Sequence, residues 1–184
     1  DCAKAESSAQ KLVCTDANLA ALDREVDRLF VLARDGKSLS ETRRKELLAV
    51  QRGWIKGVDD CWKADNLRYC VVENYVMRMH QLRQGYADAR SEDDKGISTG
   101  PSAMRCQGLD ALIGTTFIQS SPASVYAEWL DRGVAMESVR VASGIRYEGT
   151  SFDGKYSLWT KGTEAMLELP GNKEVLKCVD EPVG

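Results

Sequence analysis

The feature that most constrains this fold is a change of hydrophobic period near residue 100. Upstream, Leu19, Leu22, Val26, Leu29 and Ala33 recur at steps of three or four, the spacing that lines one face of an α-helix. Downstream, short runs rich in β-branched and aromatic residues alternate with turn residues, the texture of antiparallel strands. The sequence therefore predicts an α+β protein of two domains. A small helical bundle occupies 1–88, a linker 89–101, and an eight-stranded antiparallel β-domain 102–184. The linker region, DARSEDDKGISTGP, is polar and charged and then contains glycine and proline, a composition that favours connection over packing.

Three longer helices are expected in the first half, with a shorter one over 3–13. Thr15 or Asp16 can cap the first long helix and Gly36 can stop it. Ser38 with Glu41 forms a candidate capping box for the second, whose stripe is Leu47, Val50, Trp54, Ile55 and Val58. The third follows Asp65-Asn66 and carries Tyr69, Val72, Val76, Met79, Leu82 and Tyr86. Short connections imply antiparallel neighbours. Trp54 and Trp62 read as bundle core.

The strand candidates are 103–107, 112–118, 124–130, 134–140, 145–150, 155–160, 164–169 and 174–179. Turn signals at Asp131-Arg132-Gly133, Asp153-Gly154 and Pro170-Gly171-Asn172 separate them. Eight short strands at near-regular spacing suit an antiparallel barrel or sandwich, and closure removes unpaired edges.

Six cysteines, with no C-x-x-C and His80 as the single histidine, favour disulfides and an oxidising compartment over zinc. No metal and no cofactor is expected. Cys106 lies in the first strand and Cys178 in the last, which neighbour each other in a closed barrel, so a 106–178 bridge is expected there. Cys2, Cys14, Cys61 and Cys70 should supply two further bridges, of unassigned pairing. If 3–13 were one straight helix, Cys2 and Cys14 would lie roughly 18 Å apart by helical rise, too far to bond.

Within the β-half, residues 141–167 hold two segments of unusual local chemistry, Ser143-Gly144 and Thr160-Lys161-Gly162. Asp153-Gly154 between them signals a two-residue hairpin. That hairpin carries Tyr147 up one strand and Trp159 down the next, and brings Ser143 and Lys161 side by side at one rim. A hydroxyl and a cation then sit beside glycines on adjacent loops, suited to meeting carboxylates. Taken singly, Lys161 is an ordinary exposed turn lysine and Ser143 an ordinary turn hydroxyl; their pairing carries the functional reading.

The order S-G-x-R-Y, hairpin, W-T-K-G, with flanking cysteines, resembles the MliC/PliC family of inhibitors of c-type lysozyme. The resemblance implies a small antiparallel β-barrel in which the serine and lysine loops enter the lysozyme cleft and engage its catalytic acids. The corresponding positions are Ser143, Gly144, Arg146, Tyr147, Trp159, Thr160, Lys161 and Gly162. The first half resembles the LprI-type module, named after a mycobacterial lysozyme-inhibiting lipoprotein. That likeness rests on Cys2-x-Lys-Ala, Val13-Cys14, Leu19-x-x-Leu22-Asp23, Gln51-Arg52-x-Trp54, Cys61, and Cys70 before Tyr75. Gly57-Val58-Asp59-Asp60 departs from that pattern, which would have a basic residue there.

Charge narrows the classes further. Residues 1–100 carry 17 basic and 17 acidic side chains, and residues 101–184 carry 8 and 11. No basic stripe is present to neutralise a phosphate backbone, so nucleic acid is not an expected partner. No apolar run reaches the ~18 residues of a membrane span. His80 has no nucleophile placed beside it by any motif, and the carboxylates are scattered, so no enzyme is expected. The chain opens at Asp1-Cys2 without a leader, which reads as processed export. The expected protein is a periplasmic or envelope inhibitor of c-type lysozyme, with lipidation of its precursor left open. The alternative is a non-catalytic envelope module binding a small ligand, glycan fragment or other protein.

Overall fold

The computed structural model describes residues 2–90 and 95–181. The chain separates into two compact units, Asp1–Gly96 and Ile97–Gly184. The expected linker at 89–101 falls partly on residues 91–94, which lie outside the described residues. On its near side Ala87–Arg90 form a 3₁₀ turn, and on its far side the first strand already begins at Ser98.

The first unit holds four helices: α1 (Ser8–Thr15), α2 (Ala17–Asp35), α3 (Glu41–Asp59) and α4 (Leu67–Gly85). Each starts on a side-chain cap. Asp16 accepts from the Asn18 and Leu19 N–H groups, and Asn66 accepts from that of Tyr69. Such caps satisfy donors that have no partner in the first turn, each stabilising by about 1 kcal/mol. Ser40, not Ser38, caps α3 by accepting from the Arg43 N–H at 3.3 Å. The helix begins at Glu41, so only the residue directly before it can reach that donor.

The expected stripe of α2 is buried throughout. On α4, Val72, Val76, Met79 and Leu82 are buried together with Val71, Tyr75, His80 and Arg83, so this helix is covered on several faces and forms the centre of the bundle. α3 contributes less than its sequence suggests. Leu47 and Val58 are buried, whereas Val50 and Ile55 are exposed. Trp54 is half-buried and meets the Tyr75 ring edge-on at 5.2 Å. Trp62 is not core. It is 64% exposed, with the Lys63 ammonium over its ring.

The four N-terminal cysteines pair as Cys2–Cys14 and Cys61–Cys70. The first pairing overturns the distance argument made from a straight helix. Cys2–Lys4 is a single 3₁₀ turn, and Ser7 breaks the path to cap α1 by accepting from the Gln10 N–H. The chain thus doubles back, and the two Cα atoms stand 5.7 Å apart.

The second unit is a closed barrel of eight antiparallel strands in sequence order. They are β1 (Ser98–Cys106), β2 (Leu112–Ile118), β3 (Ser124–Trp129), β4 (Arg132–Val139), β5 (Ile145–Ser151), β6 (Gly154–Lys161), β7 (Glu164–Glu168) and β8 (Leu176–Glu181). β8 pairs back on β1, and Cys106 stands opposite Cys178 on that seam, bonded to it. Alternate residues turn inward: Met104, Ile113, Val125, Met136, Tyr147, Leu158 and Leu167 fill the interior. Closing the sheet leaves no edge to template another chain.

Two turns differ by one residue from expectation. Ser151 pairs with Gly154, so Phe152 and Asp153 form the β5–β6 tip. Trp129 pairs with Arg132, so Leu130 and Asp131 form the β3–β4 tip, with Leu130 at φ 52°.

Candidate functional site

Up-and-down topology sorts the connections into two rims. One rim carries the connections 119–123, 140–144 and 162–163; the other carries 107–111, 130–131, 152–153 and 169–175. The segments singled out in the sequence fall on the first. Ile145 pairs with Thr160 and Lys161 with Glu164, so the 140–144 loop and the 162–163 turn lead off adjacent strands. Gly162, at φ 62°, takes the first tip position of the turn, where a two-residue type II′ hairpin requires positive φ.

The 140–144 loop is fastened to β6. The Trp159 indole N–H donates to the Ser143 carbonyl at 3.0 Å. Gly144 has φ 71°, and a Cβ there would lie 2.5 Å from the Thr160 carbonyl and 3.1 Å from the Trp159 ring. Only glycine permits that approach without displacing the loop. Thr160 adds a long hydroxyl contact to the Ile145 carbonyl, at 3.5 Å. Gly144→Ala is therefore expected to loosen the loop and weaken whatever the rim binds by roughly tenfold or more, because a backbone misplaced by about 1 Å is costly at a docking site. Melting curves should shift by less than the binding does; unchanged binding would show that the loop conformation is not used.

The eight positions do not act alike. Ser143, Gly144, Lys161 and Gly162 are exposed. Among the described residues Lys161 makes no ion pair, although Glu164 is its cross-strand neighbour. Thr160 and Trp159 are half-buried and brace the loop. Arg146 lies on the outer wall, donating to Glu168 at 2.9 Å and approaching Glu148 at 3.1 Å. Lys155, 2.7 Å away, together with Arg146, holds the Glu148 carboxyl below the usual carboxylate range against the opposing effect of burial. Tyr147 is 4% exposed inside the barrel, its ring 5.9 Å from that of Phe117, and burial pushes its phenol up. Four of the eight positions are thus exposed at the rim, and four are half-buried or buried behind it.

Two further features escaped the sequence reading. A groove of about 650 Å³ runs on the outer wall beside the 169–175 connection, but Arg146, Glu168 and Lys155 on its lining are engaged in the ion pairs just described. The helical unit contains a cleft of about 720 Å³ whose lining includes Asp23, Asp59, Trp54 and Tyr75. There the Tyr75 hydroxyl donates to Asp23 at 2.8 Å, and burial followed by the two carboxylates pushes its phenol far up. Neither feature has a sequence signal of its own, because residues distant along the chain assemble it. Among the described residues no cluster of histidine, cysteine or carboxylate side chains is arranged to hold a metal ion.

The rim lies within a recognisable domain. Residues 105–176 match the family of membrane-bound lysozyme-inhibitors of c-type lysozyme. That span runs from the end of β1 to the start of β8 and contains both rim segments. Over a longer stretch the chain is similar to the protein named Lipoprotein LprI of Mycobacterium bovis and of two strains of Mycobacterium tuberculosis. Each is 29% identical over 173 residues, covering 93% of this chain and 79% of the relative. Both halves therefore have counterparts in one protein. No solved structure matches.

Proposed function

We propose that this chain is an exported, non-enzymatic inhibitor of c-type lysozyme that blocks the catalytic cleft with the 140–144 loop and the 162–163 turn. The observation that carries this reading is the exposed pair Ser143 and Lys161 on adjacent connections of one rim, within the domain that matches the inhibitor family. Lysozyme cleaves with two carboxyl groups, one kept protonated by its surroundings and one ionised. The Lys161 ammonium meets the ionised carboxylate, the Ser143 hydroxyl bonds the second acid, and the two segments occupy the space of the sugar. Gly144 and Gly162 keep the backbone narrow enough to enter. Trp159 and Thr160 fix the loop, while Arg146 and Tyr147 anchor its strand outside and inside the barrel.

Three disulfides suit an oxidising compartment. The relatives' names, membrane-bound inhibitor and lipoprotein, support an envelope location. The described helices include none long and apolar enough to cross a membrane. The deciding experiment is a lysis assay in which the intact, oxidised chain is titrated against c-type lysozyme on bacterial cell walls. Saturable inhibition near one-to-one is expected. A folded chain in large excess that leaves lysis unchanged would overturn the reading, and the cleft at Trp54 and Tyr75 would then favour an envelope module binding a small ligand.

A further inference from the structure

The segments carrying the proposed inhibitory groups are small. Five residues at 140–144 and three at 161–163 cannot supply the roughly 800 Å² per partner that a specific protein complex buries. The remainder must come from surface continuous with the rim.

The outer wall directly below Lys161 has the required character. Leu158, Ala165, Leu167 and Cys178 turn inward and are buried, so by strand alternation Trp159, Met166 and Val179 turn outward. Pairing makes these three a contiguous patch: Trp159 stands opposite Met166, Met166 opposite Lys177, and Val179 opposite Glu164, which in turn faces Lys161. Met166 is 37% exposed and Val179 56%. Around them lie Lys161, Glu164, Lys177 and the Arg105–Glu181 ion pair at 3.0 Å. An apolar centre within a charged border is the anatomy of a protein interface. Leu130 and Phe152, exposed at the β3–β4 and β5–β6 tips, lie on the opposite rim and cannot share this contact.

We propose that Met166 and Val179 form the apolar centre of the same interface, packed against the lip of the lysozyme cleft whose carboxylates Lys161 meets. This rests on the reading of the rim as the inhibitory surface. It requires of the partner an apolar lip beside its acidic groups. Lys161 then supplies charge recognition, while Met166 and Val179 supply the desolvated contact that slows dissociation.

The test uses the full chain and inhibition constants against c-type lysozyme. Met166→Asp with Val179→Asp is expected to raise the constant at least tenfold, mainly through faster dissociation, with the melting temperature nearly unchanged. Phe152→Asp, on the opposite rim, should inhibit like wild type. The milder pair Met166→Gln with Val179→Thr decides the matter if the aspartate pair folds poorly, and an increase of about threefold is expected. Wild-type inhibition by both pairs, beside an inactive Lys161→Glu, would overturn the inference and leave the proposed function standing. Loss of self-association by sedimentation without loss of inhibition would also overturn it, assigning the patch to a second copy of the chain. A fully active Lys161→Glu would instead defeat the underlying function.

Discussion

Lys161→Glu is expected to abolish inhibition of c-type lysozyme while leaving the barrel folded. The ammonium sits at the exposed end of β6 and has no ion pair among the described residues. Its charge is thus available to a partner at little cost in lost internal contacts. Buried against a carboxylate in a closed cleft, such a contact typically loses about 2–5 kcal/mol when one side is truncated. Loss of one neutral hydroxyl bond costs roughly 1 kcal/mol. Lys161→Ala should therefore weaken inhibition at least thirtyfold, Ser143→Ala only a few-fold, and the double variant should depart from additivity because the two groups are neighbours. Glutamate adds repulsion from the cleft carboxylates to the lost attraction. It also faces Glu164 across the ladder, a like-charge pair worth roughly 0.2–1 kcal/mol of destabilisation. Melting curves should accordingly move slightly while inhibition collapses. Inhibition by Lys161→Glu equal to wild type would show that the rim does not plug the cleft.

The parts of this protein legible in its sequence are those decided locally. The α2 stripe and the Asp16 and Asn66 caps follow from neighbours within four positions. So do the eight strands, because the inward and outward alternation is a period-two signal within each run. What was misread depended on partners distant in the chain. Val50 and Ile55 fit the helical stripe of α3, yet by helical angle they lie at its two margins, on either side of the buried Leu47 and Val58, and are exposed. Trp62 follows the end of α3 in a 3₁₀ turn, where the α-helical angle no longer applies. The Cys2–Cys14 bond conflicts only with one straight helix over 3–13, and the Ser7–Gln10 capping box that breaks such a helix is present in the sequence.

The site divides in the same way. That Ser143 and Lys161 reach one rim follows from one hairpin, and the one-residue shift of its tip does not alter this. The different duties of the flanking residues needed three dimensions. Tyr147 and Trp159 are both aromatic residues of strands β5 and β6, but one faces the interior and the other fastens a loop from outside. Sequence alternation gives their opposite parity once the register is known; it does not give the carbonyl to which the indole donates.

The largest effect on stability is expected from the Cys106–Cys178 bond. It closes a separation of 72 residues, against 12 for Cys2–Cys14 and 9 for Cys61–Cys70. In the chain-entropy account a cross-link stabilises by restricting the unfolded chain, and more so for longer loops. That gives about 4 kcal/mol for the long loop and about 3 kcal/mol for each short one. The site of the bond adds to its importance. It lies on the β1–β8 seam, where the first and last strands must find each other for the barrel to close. Cys106→Ala with Cys178→Ala should therefore lower the melting temperature of the barrel by on the order of 20 °C, taking 4–8 °C per kcal/mol for a unit of this size. Each unit contains two of the four tryptophans, Trp54 and Trp62 in the helices and Trp129 and Trp159 in the barrel, so replacing both tryptophans of one unit by phenylalanine leaves fluorescence that follows the transition of the other. The helical transition should stay in place, and the folded fraction of the variant at low temperature should still inhibit, since Lys161 ends β6 rather than lying on the seam. A barrel midpoint that does not move would show that strand pairing alone closes the sheet and that the bond contributes little; a helical midpoint that falls with the barrel's would show that the two units do not melt independently.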